Sequence, residues 1–350
     1  MADVHKRYVL AAYPDGMPKE SDWKLETGPV PMPGAGEFLV RTVFIAPEPR
    51  LRLMMNPTTD SNRAMRPGGG MTDIGKIMPC TILGEVVQSN DADYKPGDVV
   101  EGFLGWQNYA IATRKGFSAK NNPSGIAKMD LSLGPLSAFV SVLGIPGLTS
   151  FLALRHEGKV KPGETVVVTS AAGTVGSVAA QLAKLAGAHV VGLTSTDEKC
   201  EHLIEDLGLH VAINYRKEKD LAAAIRKACP KGVDYYFDNV GGDMADVIKA
   251  QLNPGGRVTR CGIVAKYNTD TSQWRQSDEF AGQFTIHDHV AEYDGARKEL
   301  SQLVKSGKLK YAEEIFDGFE KIPRVFIDLL NGKNTGKFLV RCAADPKGSR

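Results

Sequence analysis

Residues 165–187 narrow the fold more than any other stretch. A β-branched run, Thr165-Val-Val-Val-Thr169, opens directly into Ala171-x-Gly173-x-x-Gly176 and then into a helical pattern. A short run of this kind suits a strand buried on both faces, as in a parallel sheet. The turn is a variant of the glycine-rich dinucleotide turn, with alanine in the first glycine's place. Gly173 is expected to let the backbone approach a pyrophosphate, and Gly176 to let the helix close on the strand. The helix N-terminus would then offer unpaired N–H groups to the anion. Val175, Val178, Ala179, Leu182, Leu185 and Ala186 recur at helical spacing and predict one apolar face. The plainer alternative is a glycine turn that serves packing alone.

Strand and helix alternate from there onward. Strands are expected at 165–169, 189–194, 211–214, 233–238, 257–262 and 284–288, with helices at 199–207, 220–229 and 243–252 between them. This alternation is the signature of an α/β doubly wound parallel sheet, which binds its ligand at the carboxyl ends of its strands. Residues 1–137 read instead as β-rich and turn-rich, with strands at 7–12, 38–45, 81–88 and 98–103. Within them 56–75 is polar, glycine-rich and aperiodic, the pattern of a mobile loop. After a helix at 293–304, short strands return at 311–316 and 337–341 around a helix at 323–330. The expected organisation is a small barrel of 1–137 and 311–350, interrupted by a nucleotide-binding domain of 138–310, with a cleft between them.

Several function classes are disfavoured. The net charge of +2 provides no general electrostatic case for nucleic acid or an acidic membrane. No apolar run reaches the roughly 18 residues of a membrane span, and residues 1–7 lack a hydrophobic signal region. The five cysteines (Cys80, Cys200, Cys229, Cys261 and Cys342) are odd in number and far apart, which argues against a disulfide scaffold or structural zinc. A reducing, cytoplasmic location is therefore expected. His287 and His289 would share one side of a strand; a polar strand face is preferred to a metal pair, because no third ligand stands nearby in sequence, and no metal is expected.

The end of the second strand speaks to the cofactor. NAD enzymes usually carry an acid about 20 residues after the glycines, where it holds the ribose 2′-hydroxyl. Here Thr194, Ser195 and Thr196 occupy that place; Ser195-x-x-Glu198 reads as a capping box, and Lys199 follows. A cation without a competing acid favours the 2′-phosphate of NADP(H). Lys199 as a solvated lysine and Tyr215 as a strand-end aromatic are the alternatives.

Taken together, Gly105-Trp-Gln-Asn-Tyr109, Gly144-Ile-Pro-Gly-Leu-Thr149, Ala171-Ala-Gly-Thr-Val-Gly-Ser177, Asn214-Tyr215, Tyr236-Phe-Asp-Asn-Val-Gly-Gly242, Cys261-Gly-Ile-Val-Ala-Lys-Tyr-Asn268 and Asn331-Gly-Lys-Asn-Thr-Gly-Lys337 carry a resemblance over nearly the whole chain. The sequence resembles the zinc-independent medium-chain dehydrogenase/reductases, in the group of leukotriene dehydrogenase/prostaglandin reductases, plant double-bond reductases and bacterial curcumin reductases. The resemblance implies a Rossmann domain inserted into a GroES-like barrel and a homodimer, with the edge near 284–288 as the candidate contact.

It also implies residue roles. Gly173, Thr174, Val175 and Gly176 would hold the pyrophosphate. Ser195, Lys199 and Tyr215 would take the adenosine end. Asn239, Cys261, Gly262, Ile263, Tyr267, Phe284 and Ile286 would line the nicotinamide side, which Asn334 would reach from the barrel. The implied reaction is NADPH-dependent reduction of the activated C=C bond of an α,β-unsaturated ketone or aldehyde, with Tyr267 and the cofactor's ribose hydroxyl stabilising the enolate. Tyr267 as a packing aromatic is the alternative. A quinone reductase, a zinc-free secondary alcohol dehydrogenase and an NADPH-binding sensor are the competing functions.

Trp106 and Tyr109 are pocket candidates, or core aromatics. The family's Asp-Pro-Tyr-Met-Arg is here Glu48-Pro-Arg50-Leu-Arg52, so Arg50 replaces a pocket tyrosine and would face either an acidic substrate group or a carboxylate of the protein. The stretch 268–284 is several residues shorter than in relatives.

Overall fold

The computed structural model describes residues 3–57, 72–114, 125–269 and 284–346. The loop expected at 56–75 lies largely outside them, as does most of the shortened 268–284 stretch.

The N-terminal strands pair antiparallel in two sheets, and those of the larger sheet are buried along most of their length. Strands β1 (Val4–Leu10) and β2 (Trp23–Pro29) pair as a hairpin. A second sheet contains β3 (Phe38–Ala46), β4 (Thr81–Ser89), β5 (Val99–Phe103), β6 (Tyr109–Ala112) and β7 (Ala127–Lys128). Between β3 and β4 lies a single helical turn, α1 (Leu51–Met54).

Helix α2 (Ile145–Ala153) then leads into β8 (Thr165–Thr169), α3 (Thr174–Leu185), β9 (His189–Thr194), α4 (Asp197–Glu201), β10 (Val211–Asn214), α5 (Leu221–Ala228), β11 (Val233–Asp238), α6 (Gly242–Lys249) and β12 (Leu252–Arg260). All five strands are parallel, in the order β10-β9-β8-β11-β12. The chain runs outward from β8 to β10 and then returns to the other side of β8. The switch point is therefore at the carboxyl ends of β8 and β11. Every residue of β8 is buried, which is why an unbroken β-branched run forms there.

Helix α7 (Tyr293–Lys305) precedes β13 (Glu313–Asp317), α8 (Ile322–Leu330) and β14 (Lys337–Arg341). Strands β13 and β14 join the larger N-terminal sheet, β14 pairing antiparallel with β3. Phe326 of α8 packs on Trp23 and Trp106, with ring centroids 5.9 and 5.6 Å apart. The C-terminal return is thereby sealed into the first core.

Three expectations are corrected. Residues 284–288 form no strand: Phe284 donates one backbone bond to Arg260, and Ile286–Glu292 then coils into a 3₁₀ turn. The buried face of α3 is rotated from the apolar stripe, since Leu185 is 48% exposed whereas Ser177 and Gln181 are buried. Gln181 exchanges two hydrogen bonds with the backbone of Lys310, so a tertiary contact outweighs the pattern. Finally, Thr196 rather than Ser195 caps α4, its hydroxyl accepting from the Lys199 amide.

One buried pair joins the two regions and makes stability depend on pH. Arg297 of α7 donates through Nε to the Leu143 carbonyl at 2.9 Å and reaches Glu101 of β5 at 3.4 Å. Burial pushes the Glu101 carboxyl up to about 7, with Arg297 opposing, and its Oε1 has no hydrogen-bond partner. A carboxyl raised in the folded state stabilises the fold while protonated, and that contribution fades as pH rises through the folded value. Relative to Glu101→Gln, the wild type should therefore lose about 3 kcal/mol between pH ~4.5 and ~8. Denaturant unfolding of both proteins across that range reads the slope, and parallel curves would refute it.

Candidate active site

Strand β8 ends at Thr169, and Ser170 after it holds a left-handed φ of 52°. Its carbonyl accepts the Gly173 amide at 3.0 Å, bending the chain so that Gly173 becomes the cap of α3. Non-glycine residues in this conformation are strained and cluster at functional turns. Gly176 shows why glycine is needed here: a Cβ on it would come 2.3 Å from the Ser170 carbonyl oxygen and 2.8 Å from the Ala171 Cα. Both obstacles are backbone. From below, Ser150 of α2 donates to the Val175 carbonyl at 2.7 Å and steadies the first turn. Gly176→Ala should therefore push α3 off the strand, costing about 1–3 kcal/mol of stability. Cofactor affinity should fall with it; unchanged melting and unchanged NADPH titration would show that the close approach is not required.

At the corner expected to take the adenosine end, β9 stops at Thr194 and Ser195 is half-buried beside it. Asp197 is engaged elsewhere, with Asn214 and Lys217. Lys199 is buried, its Nζ donating to the Gly332 carbonyl at 2.6 Å. Burial and then the Arg216 guanidinium depress its pKa. A buried cation whose charged neighbour is another cation lacks compensation, and an anion would supply it. Tyr215 adjoins this corner, its amide bonded to the Thr194 carbonyl. The solvated-lysine alternative is thus excluded.

The segment 331–336 spans both regions of this crevice. Gly332 receives Lys199, while the Gly336 amide donates to the Ala172 carbonyl at 2.7 Å. Asn334 lies between, bonded through Nδ2 to the Gly336 carbonyl and 3.9 Å from the point where a Cβ on Gly173 would be.

Beyond β11, Asn239 is pinned to the end of β8, its amide to Thr169 Oγ1 at 3.0 Å and its Nδ2 to the Thr169 carbonyl at 2.8 Å. Asp238 accepts from the Tyr236 hydroxyl and from the Val240 and Gly241 amides. Gly241 and Gly242 then take φ of 69° and 62°, so the paired glycines are a backbone requirement of this turn.

Residues 261–267 face that turn. A Cβ on Gly262 would meet the Asn239 carbonyl at 3.0 Å and the Tyr267 hydroxyl at 3.5 Å. Tyr267 is buried, its ring packed with Ile263 and with Leu53 of α1. Cys261 is half-buried, and burial raises its thiol pKa. Phe284 and Ile286 are buried, the Phe284 ring stacking on His289.

The barrel side contributes residues that sequence reasoning gave no role. Arg52 is buried and bonds the Gly16 carbonyl, Asn56 and Asn268 Oδ1, thereby fastening the residue next to Tyr267. Lys337 is buried and donates to the Pro47 carbonyl at 3.0 Å, below Glu48 and Arg50. The Arg50 guanidinium donates to Glu48 at 2.6 Å, lies 5.3 Å from the Phe103 ring centroid, and is within electrostatic reach of Tyr267 and His287. Burial would raise the Glu48 carboxyl, but Arg50 and Lys337 outweigh it and hold the group below its usual range. The carboxylate facing Arg50 thus comes from its own turn.

Trp106 and Tyr109 belong elsewhere. Trp106 is fully buried among Trp23, Tyr8 and Phe326, and Tyr109 gives its hydroxyl to Asp3 at 2.6 Å. Trp106 is taken up by packing of the first core, and Tyr109 is buried with its hydroxyl held by Asp3.

A dinucleotide fits these residues. The glycine turn has room where a side chain would intrude, the far corner has an uncompensated buried cation, and a phenol stands at the other end. Residues 6–119 match the family described as the N-terminal domain of oxidoreductase, and residues 174–305 that described as zinc-binding dehydrogenase. The chain is 36% identical to the NADPH-dependent curcumin reductase of Escherichia coli (strain K12), over 97% of this chain and 98% of that one. It is 30% identical to the 2-alkenal reductase (NADP(+)-dependent) of Nicotiana tabacum, over 96% and 97%. CurA from Vibrio vulnificus, 30% identical, superposes with a TM-score of 0.85 over 98% of this chain and 100% of that chain. Its complex with NADPH superposes with a TM-score of 0.83 over 97% and 100%.

Proposed function

The chain belongs to the zinc-independent medium-chain dehydrogenase/reductases, in the group of the curcumin, prostaglandin and 2-alkenal reductases, and on that premise we propose that it reduces the activated C=C bond of α,β-unsaturated ketones or aldehydes with NADPH. The observation that carries the cofactor choice is Lys199, a buried cation beside Arg216. When bound, NADPH supplies a hydride to the β-carbon of the substrate.

The residues of the chain do the rest. Gly173, Thr174, Val175 and Gly176 cradle the pyrophosphate. Ser195, Lys199 and Tyr215 hold the adenosine end. Asn239, Cys261, Gly262, Ile263, Phe284, Ile286 and Asn334 enclose the nicotinamide. As negative charge grows on the substrate's carbonyl oxygen, the Tyr267 hydroxyl donates a hydrogen bond to it, a contact that strengthens toward the transition state, and the α-carbon of the enolate then takes a proton from Tyr267 or from water. Arg52 acts through Asn268 to keep that phenol in place. Arg50 lines the substrate side, where Glu48 orients its guanidinium.

Supporting the same reading, β13 and β14 join the N-terminal sheet, which favours a substrate domain of 1–137 and 311–350 around a cofactor domain of 138–310. No helix among the described residues is long and apolar enough to cross a membrane, and all five cysteines are free thiols. Those thiols favour a reducing, cytoplasmic location. A homodimer is also part of the proposal; since 284–288 is no strand, the neighbouring edge strand β12, one of the two edges of the parallel sheet, takes its place as the contact.

Purified protein should oxidise NADPH when given small enones, far faster than with NADH, and yield the saturated ketone. Faster turnover of quinones would identify a quinone reductase. Reduction of the carbonyl instead of the double bond would identify an alcohol dehydrogenase, and tight NADPH binding without turnover of any acceptor a sensor.

A further inference from the structure

A second cluster of donors lies on the outer side of Phe284. Helix α2 ends in a π-helical turn, Leu154–Gly158, that carries His156. Such turns re-aim side chains and recur at functional positions. Opposite it, the 3₁₀ segment Ile286–Glu292 breaks helical geometry at His289, with φ of −115° and ψ of 20°. The two imidazoles are brought face to face, with centroids 4.2 Å apart and planes 22° apart, and Phe284 stacks on the outer face of His289 at 5.2 Å. Glu292 closes the group. Its Oε1 is 2.8 Å from His156 Nε2 and 3.1 Å from His289 Nδ1.

One oxygen therefore faces one nitrogen from each ring. All three donor atoms lie within 4.8 Å of one another. His156 Nε2 is sealed from solvent and, despite its closeness to Glu292, makes no hydrogen bond of acceptable geometry. An ion pair alone leaves that nitrogen poorly used. Two imidazoles and a carboxylate make up a three-ligand set known for zinc, which bonds nitrogen and oxygen at roughly 2.0–2.2 Å. Tetrahedral bonds of that length would place the donors roughly 3.4 Å apart, so an ion enters with a small separation of the present pairs and a rotation of one stacked ring that turns both in-plane nitrogen lone pairs to a common point.

We infer that His156, His289 and Glu292 form a divalent transition-metal site of the zinc class, with one open coordination position, that clamps the turn after α2 to the segment entering α7. The spacing His287-Asp-His289 pointed to a pair within one strand. The structure instead separates those two histidines and recruits His156 from 133 residues earlier.

The test uses tag-free, full-length protein, stripped with chelator, desalted and titrated with Zn²⁺ by calorimetry and with Co²⁺ in the visible range. One Zn²⁺ should bind per chain, and Co²⁺ should develop the d–d bands of a low-symmetry four-coordinate site. His156→Ala, His289→Gln and Glu292→Gln should each weaken Zn²⁺ about tenfold or more and abolish the bands, while His210→Ala leaves both unchanged. NADPH titration of each variant confirms that it is folded. Absence of saturable binding, or binding that survives all three substitutions, would overturn the site and leave a carboxylate shared by two stacked rings.

Discussion

Tyr267→Phe is expected to lower kcat for an enone by about 10²- to 10³-fold, the usual loss when one donor to a developing oxyanion is removed. NADPH affinity and thermal stability should change little, because the ring's packing on Ile263 and Leu53 is kept and the hydroxyl alone is lost. That division separates the proposed role from a packing one. Stopped-flow measurement of NADPH oxidation at saturating enone reads the chemical step directly. A phenylalanine variant that turns over at the wild-type rate would remove Tyr267 from the mechanism.

Lys199→Ala should weaken NADPH by about 10- to 100-fold, in line with the roughly 1.5–3 kcal/mol of a hydrogen bond to a charged group, and should leave NADH almost untouched. Arg216 keeps the loss from being larger, since it can still meet a phosphate from the exposed side. The variant also loses a cation that burial disfavours, so the free protein should melt no lower than the wild type. What disappears is the additional stabilisation by NADPH, which depends on affinity. Thermal shifts with each cofactor, alongside KM values, test this. Equal weakening of NADPH and NADH would mean that Lys199 does not read the 2′-phosphate.

Sequence disclosed most where burial alone decides the structure. The strands Thr165–Thr169, His189–Thr194, Val211–Asn214, Val233–Asp238 and Lys337–Arg341 coincide with their expected limits. Four of these are runs in the parallel sheet, where little but apolar burial matters. Prediction weakened where a tertiary partner competes. Residues 284–288 have strand composition, yet among the described residues no neighbouring strand pairs with them. The stripe on α3 predicted a buried Leu185, but Gln181 was drawn inward by Lys310. Both cases turn on contacts distant in sequence.

The candidate site divides in the same way. Lys199 could be singled out because the acid expected near it is missing and α4 begins at once. Its burial, its bond to Gly332 and its like-charged neighbour Arg216 were not, since 133 residues separate the lysine from that carbonyl. Arg52 could be quoted as part of a motif but given no task; its bond to Asn268 crosses 216 positions. Trp106 stood beside Tyr109 as a pocket candidate or a core aromatic, and its ring is fully enclosed beside Trp23.

Gly332 and Gly336 lie near the C-terminal end of the chain, and between them they touch Lys199 and the glycine turn. A nascent polypeptide emerging from the ribosome thus has all five parallel strands in hand well before the crevice acquires its second wall. Between the emergence of β12 and that of residues 332–336 the five-stranded sheet exists without the contacts those residues make to Lys199 and Ala172.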